Sequence, residues 1–568
     1  MDRRTLLLAT AGVAAAGFAG WRYTTRPKPR PRGDFSGSKK SGLNILFILS
    51  DQERAWDLYP QGYIETHCPG RTRLLERGTY IDGAHTPIQL CSMSRGVIYT
   101  GVHSQNNGVW ENVPIPIASD LSTELPTLGS LMQDAGYRTG YAGKWHLTKL
   151  HPHNVPLPKE KVNEIVRSYG FDESETRWER DGAGTGFRED GMTVDESLRF
   201  IERNKDGDQP WFLAVNFLNP HDIMYYTSGP DMTASRASQF PDESVRPPDA
   251  PLYRQDLGYE IVGDWGPGTL PGRPDAVQNY DGCYSAAMGR MEMDDSRIAR
   301  EFQNFYWNCT RDCDRHLAAL LDGLEASGEA DRTIIVFTAD HGEYLGVHGL
   351  RGKGVTAYRE GSKVPLIICH PDGMKGKAGQ ALTSHIDIAP TLLSYAGVAQ
   401  ATLAEQIPVL AGHDIGALAG SANTATRRDE DGILTYWTSL AFLDPAAPRI
   451  LAEALEKKGL SQRIAQISAV QKVDWHKRGQ MRGIFDGRWK FSRYFKPSDH
   501  HFPAGWEELT ARNDLELYDT SADPAERTNL AYDPSYRAEI KRLNARTNAL
   551  IRTEVGEDRG NFVPMFAR

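Results

Sequence analysis

The sequence predicts an α/β fold: a large mixed, mostly parallel central sheet flanked by helices, with a smaller α+β domain at the C-terminal end. Three observations predict it. Short, continuous apolar runs recur and stop at charged residues, as strands buried on both faces of a parallel sheet do. Segments with apolar residues at helical spacing lie between those runs. In the last third the pattern changes to paired strand-like runs and one charged helix.

The elements follow in order. Arg3 and Arg4 precede an uncharged Ala/Gly/Leu stretch from Thr5 to Trp21. That stretch is short and weakly apolar for a membrane span. It fits a twin-arginine export signal, which implies the Tat export machinery as a partner and a periplasmic or other extracytoplasmic location. An uncleaved N-terminal membrane anchor is the other reading. Arg26–Gly42 is rich in proline, glycine and charge and reads as a disordered linker. Residues 1–42 are therefore assigned to signal and linker, 43–420 to the catalytic α/β domain and 421–568 to the C-terminal domain.

"NILFILS" (Asn44–Ser50) is a buried strand ending at Asp51. Thr139–Trp145 closes on Lys144 and His146, Trp211–Asp222 on His221, and Thr333–Glu343 on Asp340 and His341. Val364–Pro371 is a fifth apolar run. Between them, Glu124–Gly136 carries Leu125, Leu128, Leu131 and Met132 at helical spacing, with Gly136 as a stop. Phe302, Phe305, Tyr306, Cys309, Cys313, Leu317, Leu320, Leu321 and Leu324 fall on one face of a longer helix. Another helix is expected to begin near Ala389-Pro390. Met481–Phe495 reads as a hairpin about "DGR", Glu516–Ala531 as a strand and turn, and Ser535–Val555 as a charged amphipathic helix.

Composition is that of a globular chain. The formal net charge of −9 excludes the basic footprint of a nucleic-acid-binding protein. Six cysteines in 568 residues exclude a disulfide scaffold. Cys309 and Cys313 lie on the apolar helix face and read as core rather than as metal ligands.

In open α/β sheets, ligands bind outside the carboxyl ends of the strands. Four strand exits here carry Asp51-Gln52, Lys144/His146, His221 and Asp340-His341. Charges placed for solubility have no reason to prefer such positions. Asp51, Gln52, Asp340 and His341 offer oxygen and imidazole donors that suit Ca²⁺ or Mn²⁺. Arg95, Lys144, Lys353 and His221 supply positive charge or donors for a tetrahedral oxyanion.

"NILFILSDQ", "CSMSRGVIYTG", "GKWHL", "NPHD", "TADHGEYLGVHGLRGKG" and "LYDTSADPAERTNLA" together resemble the sulfatases of the alkaline phosphatase superfamily, over roughly Leu43–Val555. The resemblance implies an alkaline phosphatase-like fold and hydrolysis of a sulfated small molecule or glycan. It implies that a maturation enzyme oxidises Cys91 to formylglycine, whose hydrate attacks sulfur and regenerates itself. It makes Asp51, Gln52, Asp340, His341 and the modified Cys91 the ligands of one divalent cation, Ca²⁺ or alternatively Mn²⁺. It makes Arg95 the residue orienting the diol, Lys144 and Lys353 sulfate clamps, and His146 a partner of the diol. His221 binds sulfate or protonates the leaving alcohol. The DQ and DH pairs also suit a phosphonate monoester or phosphodiester hydrolase. Met93 stands where the family has proline, so a non-catalytic binding protein is the third reading. Cys68, Cys283 and Cys369 carry no partner signal. His103 either reaches the site or lies on a helix surface, and the role of His348 is open. Trp178, Tyr225, Tyr226 and Trp265 either line a substrate pocket or form local cores.

Overall fold

The computed structural model describes residues 33–35, 41–113, 115, 118–150, 157–176, 182–230, 232–233, 246–265, 272–447, 473–561 and 563. The expected signal and linker, apart from residues 33–35, 41 and 42, lie outside the described residues, as does Trp178.

The strands are β1 (Asn44–Asp51), β2 (Thr79–Ile81), β3 (Ala84–His85), β4 (Arg138–Gly143), β5 (Glu173–Glu175), β6 (Trp211–Pro220), β7 (Thr333–Ala339), β8 (Leu366–Cys369), β9 (Lys377–Gly379), β10 (Thr383–Ser384), β11 (Ile433–Trp437), β12 (Gln480–Phe485), β13 (Trp489–Phe495) and β14 (Asp514–Asp519). The large sheet has the order β5-β4-β6-β1-β7-β8-β2-β9. Its strands pair in parallel except that β8, the fifth apolar run, is antiparallel to β7 and β2.

Continuous apolar runs form β1, β6 and β7 because both faces of these strands are buried. Alternation then sorts side chains into two layers. Ile45, Phe47, Leu49, Phe212, Ala214, Ile334 and Val336 face one. Leu46, Ile48, Leu213, Val215, Ile335 and Phe337 face the other. The helix Ser296–Ala326 covers the second face and buries the predicted stripe, Cys309 and Cys313 included. The helix Cys91–Thr100 lies on the first face and is buried along its whole length.

Two helix starts differ from the sequence expectation, one because of its cap and one because of the turn that precedes it. The Glu124–Gly136 segment is helical over Leu128–Asp134, since Thr127 caps it with a reciprocal Ser130 bond behind Pro126. The helix expected near Pro390 begins at Ile388, after a tight turn over His385–Asp387 that Ser384 caps.

β11-β12-β13-β14 form an antiparallel sheet with the hairpin β12/β13 in the predicted place. Its apolar side chains, among them Leu434, Tyr436, Met481, Phe491 and Leu517, join the same core as Phe47 and Val97. The helix Arg537–Leu550 packs on this sheet. His103 belongs to that junction and not to the site or a surface. It is buried, with Nε2 2.8 Å from Glu554 Oε2 and its ring edge-on to Tyr436. Arg428 ties Glu554 to Asp387 beside it. Among the described residues, no helix is long and apolar enough to cross a membrane.

Arg71 shows how charge is buried here. It is fully buried, with Nε 2.8 Å from Glu53 Oε1 and Nη1 2.9 Å from Asp314 Oδ1, so it joins the Pro69–Arg77 helix to the long helix. Arg71→Met leaves two buried carboxylates without their cation. The expected loss is about 3–5 kcal/mol, read from the urea midpoint at unchanged m-value.

Candidate active site

β4, β6, β1 and β7 are adjacent and parallel, so their carboxyl ends share one edge of the sheet. Asp51 ends β1, Lys144 follows β4, His221 follows β6, and Asp340-His341 follow β7. Gly143 makes the turn into Lys144 with φ +90, and a Cβ there would lie 2.0 Å from Asn216 O. Only glycine fits that approach.

The helix Cys91–Thr100 meets this edge with its first turn. Cys91 Sγ lies 3.3 Å from His341 Nε2 and 3.7 Å from Asp51 Oδ1. One turn on, Arg95 reaches the same group. Its Nη2 donates to Asp51 Oδ2 at 2.9 Å, its Nε to Asp340 Oδ2 at 3.1 Å, and its Nη1 to Lys144 O and Asn216 Oδ1 at 3.0 Å. The guanidinium is therefore occupied by the carboxylates and the neighbouring strands, and it relates to Cys91 through Asp51. Lys144 Nζ lies 3.0 Å from Asp51 Oδ2.

Asp51, Cys91, Asp340 and His341 offer donor atoms that all lie within 4.8 Å of one another, and all four residues are buried. Two carboxylates, an imidazole and a thiol are ligand types that could hold a divalent cation. His341 Nδ1 must donate to the carbonyl of Gly342, 2.9 Å away, which leaves the Nε2 lone pair facing the cluster. Burial opposes ionisation of Asp51, yet Lys144, His221, Arg95 and Lys353 hold its carboxyl well below the usual range. Asp340 is pushed up to about 7 by burial and by the Asp51 charge beside it. Two carboxylates this close and this dry repel each other, so one is held ionised while the other is raised, and the Arg95 guanidinium bridges them.

Gln52 joins the group differently. It sits at φ 65, and its N donates to Asp340 Oδ1 at 3.0 Å. Its Oε1 accepts from Lys353 Nζ, and its Nε2 donates to Glu343 Oε2. Burial raises the Glu343 carboxyl, against the Leu345, Gln52 and Gly352 donors that favour the ionised form.

His146 and His221 share the charge environment of Lys144, Lys353 and Asp51. His146 is half-buried at φ 52, and its Nδ1 has no partner. Burial, then Lys144, pushes both imidazoles well below their ordinary value, so both are neutral at pH 7. Tyr225 lies beside His221, with ring centroids 5.7 Å apart. Tyr226 stacks on Phe305 and Trp265 leans on Phe302, so these two serve the core. His348 is buried away from the cluster, facing Glu360 and Asp264. A second group of buried ligand types, His348, Glu360 and Glu526, is already neutralised by Arg359 at Glu360 and Lys490 at Glu526.

Asn216 and Glu343 are site residues that sequence reasoning missed. Asn216 had a signal: it is the one polar residue inside the apolar run "WFLAVNFL". Glu343 had none beyond its place after "DHG".

A cluster of strand-end ligands beside a buried cysteine, on this sheet, defines a hydrolase of the sulfatase class. The Sulfatase family matches residues 43–398, well over half of the chain, and the protein belongs to that family. It is a sulfuric ester hydrolase. It is 28% identical over 409 residues to the N-acetylglucosamine-6-O-sulfatase of Bacteroides thetaiotaomicron, covering 62% of this chain and 68% of that one. Its fold is similar to that of a 2-O GAG sulfatase, with TM-score 0.62 and 19% identity over 90% of this chain and 92% of that one. It is also similar to the phosphonate monoester hydrolase of Silicibacter pomeroyi, with TM-score 0.60 and 19% identity over 91% and 96%.

The floor of the site carries a pH liability. His385 is buried under the Cys91 helix, 3.2 Å from Ser94 Oγ, and burial pushes it down to about 3. The unfolded chain therefore takes up a proton between pH 6.5 and 3 that the folded chain does not. His385 adds stability that is complete above pH 6.5 and is lost as pH falls toward 3. In His385→Asn, the slope of unfolding free energy against pH across that window should flatten by up to about 1.4 kcal/mol per pH unit.

Proposed function

We propose that this sulfatase hydrolyses its sulfate ester through a formylglycine made from Cys91. A divalent cation, Ca²⁺ or alternatively Mn²⁺, is held by Asp51, Asp340 and His341, with Gln52 and the modified Cys91 completing its shell. The observation that carries the reading is the placement of Cys91 Sγ against both His341 Nε2 and Asp51 Oδ1.

The aldehyde's hydrate supplies an attacking hydroxyl and a second hydroxyl whose deprotonation expels sulfate, so the nucleophile regenerates. Arg95, Lys144 and Lys353 balance Asp51, Asp340 and Glu343, three charges against three. A bound cation supplies the excess positive charge that an oxyanion needs. Each lysine ammonium has three N–H donors, more than its contact with Asp51 or Gln52 alone uses. Lys144 and Lys353 can therefore hold sulfate oxygens while keeping Asp51 and Gln52. In this reading His146, whose Nδ1 has no partner, takes the proton of the second hydroxyl. His221, neutral, donates an N–H to the sulfate or to the leaving oxygen. The substrate is a sulfated glycan or small molecule. Arg3 and Arg4 support export by the Tat machinery to the periplasm, and modification of Cys91 by a maturation enzyme fits a protein that crosses the membrane folded.

The same donors suit a phosphoryl group, so the test compares substrates. A matched aryl sulfate should exceed the phosphodiester in kcat/KM, and Cys91→Ala should lose about a thousandfold or more. Faster turnover of the phosphodiester would overturn the sulfatase preference. The tryptic peptide Gly78–Arg95 from the native host should carry an aldehyde in place of the thiol. A fully reduced thiol there sinks the formylglycine mechanism.

Met93 bears on that conversion. It is the third residue of its helix, and its amide makes no bond to Gln89 O, whereas the Ser94 amide bonds Leu90 O. Its Sδ accepts from Thr438 Oγ1 at 3.0 Å. A proline in this first turn removes no backbone hydrogen bond. Met93→Pro should cost packing alone, about 1–3 kcal/mol by thermal unfolding, and should raise the aldehyde fraction of the Cys91 peptide.

A further inference from the structure

Glu343 is buried, and three N–H groups address its carboxylate. Leu345 N at 2.9 Å and Gly352 N at 2.7 Å donate to Oε1, and Gln52 Nε2 donates to Oε2. The first two bonds close the loop from Leu345 to Gly352, directly before Lys353. The third concerns Gln52, a fully buried side chain. Its backbone is already fixed by Asp340 Oδ1 and by the Tyr306 hydroxyl, which donates to Gln52 O at 2.8 Å.

A primary amide has two ends of nearly the same shape, so packing alone does not decide which one faces the site. Chemistry does. A carboxylate accepts, so it draws the NH2 toward itself, and an ammonium donates, so Lys353 addresses the carbonyl oxygen. Gln52 thereby turns its oxygen toward Lys353, whose charge acts on Asp51, Cys91 and His341, and its proton-bearing nitrogen toward Glu343. The opposite orientation would point two N–H donors at a bound cation.

We infer that Glu343 is a positioning residue: it fixes the polarity of the Gln52 amide, so that this neutral side chain serves as an oxygen ligand, and it seats the loop that carries Lys353. The inference rests on the metal-dependent reading above.

The test is direct Mn²⁺ binding to the purified full-length protein, followed by electron paramagnetic resonance, with no substrate present. Glu343→Gln keeps an acceptor for the loop amides but no longer dictates the amide at position 52. Mn²⁺ affinity should fall about 10- to 100-fold, as changes behind metal ligands do. In a Gln52→Glu background the same Glu343→Gln change should act in the opposite direction. There it replaces two facing carboxylates by a carboxylate and an amide donor, and affinity should rise. A residue that merely stabilised the loop would lower affinity in both backgrounds, or would lower only the unfolding temperature. Either result overturns the inference. Should Glu343→Gln alone not fold, comparing Gln52→Glu with the double variant decides it: a rise supports the inference, and a fall or no change overturns it. Unaltered protein that binds neither Mn²⁺ nor Ca²⁺ sinks both this inference and the reading beneath it. Normal binding by unaltered protein that Glu343→Gln matches sinks this inference alone.

Discussion

The Arg95 guanidinium is the interaction on which the site depends. It is fully buried and binds Asp51 at the end of β1, Asp340 after β7, Asn216 in β6 and the carbonyl after β4. A cation taken this far from water is tolerated only when its donors are met. Four neighbouring strands must therefore end in register before the charge can be housed. Cys91 lies one helical turn ahead of Arg95, on the same face. The side chain that gathers the strand ends thus also carries the thiol to them.

A second constraint is electrical. Side chains of both signs are packed together at the sheet edge, and the protein's own charges there cancel. Asp51 is kept ionised by the cations around it, Lys144 is held by Asp51, and Lys353 is held by the Gln52 amide oxygen. The histidines, pressed between lysines and away from water, stay uncharged and act through N–H groups and lone pairs. In the metal-dependent reading, a cation adds the positive charge that this edge does not itself supply. That is the physical reason for assigning a cation to the cluster.

Much of this was legible in the sequence. Apolar runs that stop at a charge are visible without a structure, because burial on both faces leaves no polar alternation. The exits of β1, β4, β6 and β7 therefore marked Asp51, Lys144, His221 and Asp340. The C-terminal hairpin was legible from its turn. The antiparallel direction of β8 was not, since a run buried on both faces reads alike in either direction. His103 was misplaced because its partners, Glu554 and Tyr436, are more than three hundred residues away. Glu343 was silent for a related reason: its three partners are two backbone amides and one glutamine, and none of these shows a pattern. The helix start at Leu128 was set by a cap, and the one at Ile388 by the capped turn that leads into it.

The C-terminal sheet is more than an appendage. Thr438, just beyond β11, touches Met93, and the sheet's side chains complete the core over the Cys91 helix. In the finished molecule Cys91 is 1% exposed. Residues 433–519 leave the ribosome long after Cys91 does. During that interval the helix that carries the thiol lacks the side chains that complete its core, and in the folded protein the thiol is buried. The order in which the chain is made thus sets a time limit on any chemistry performed on this cysteine from outside.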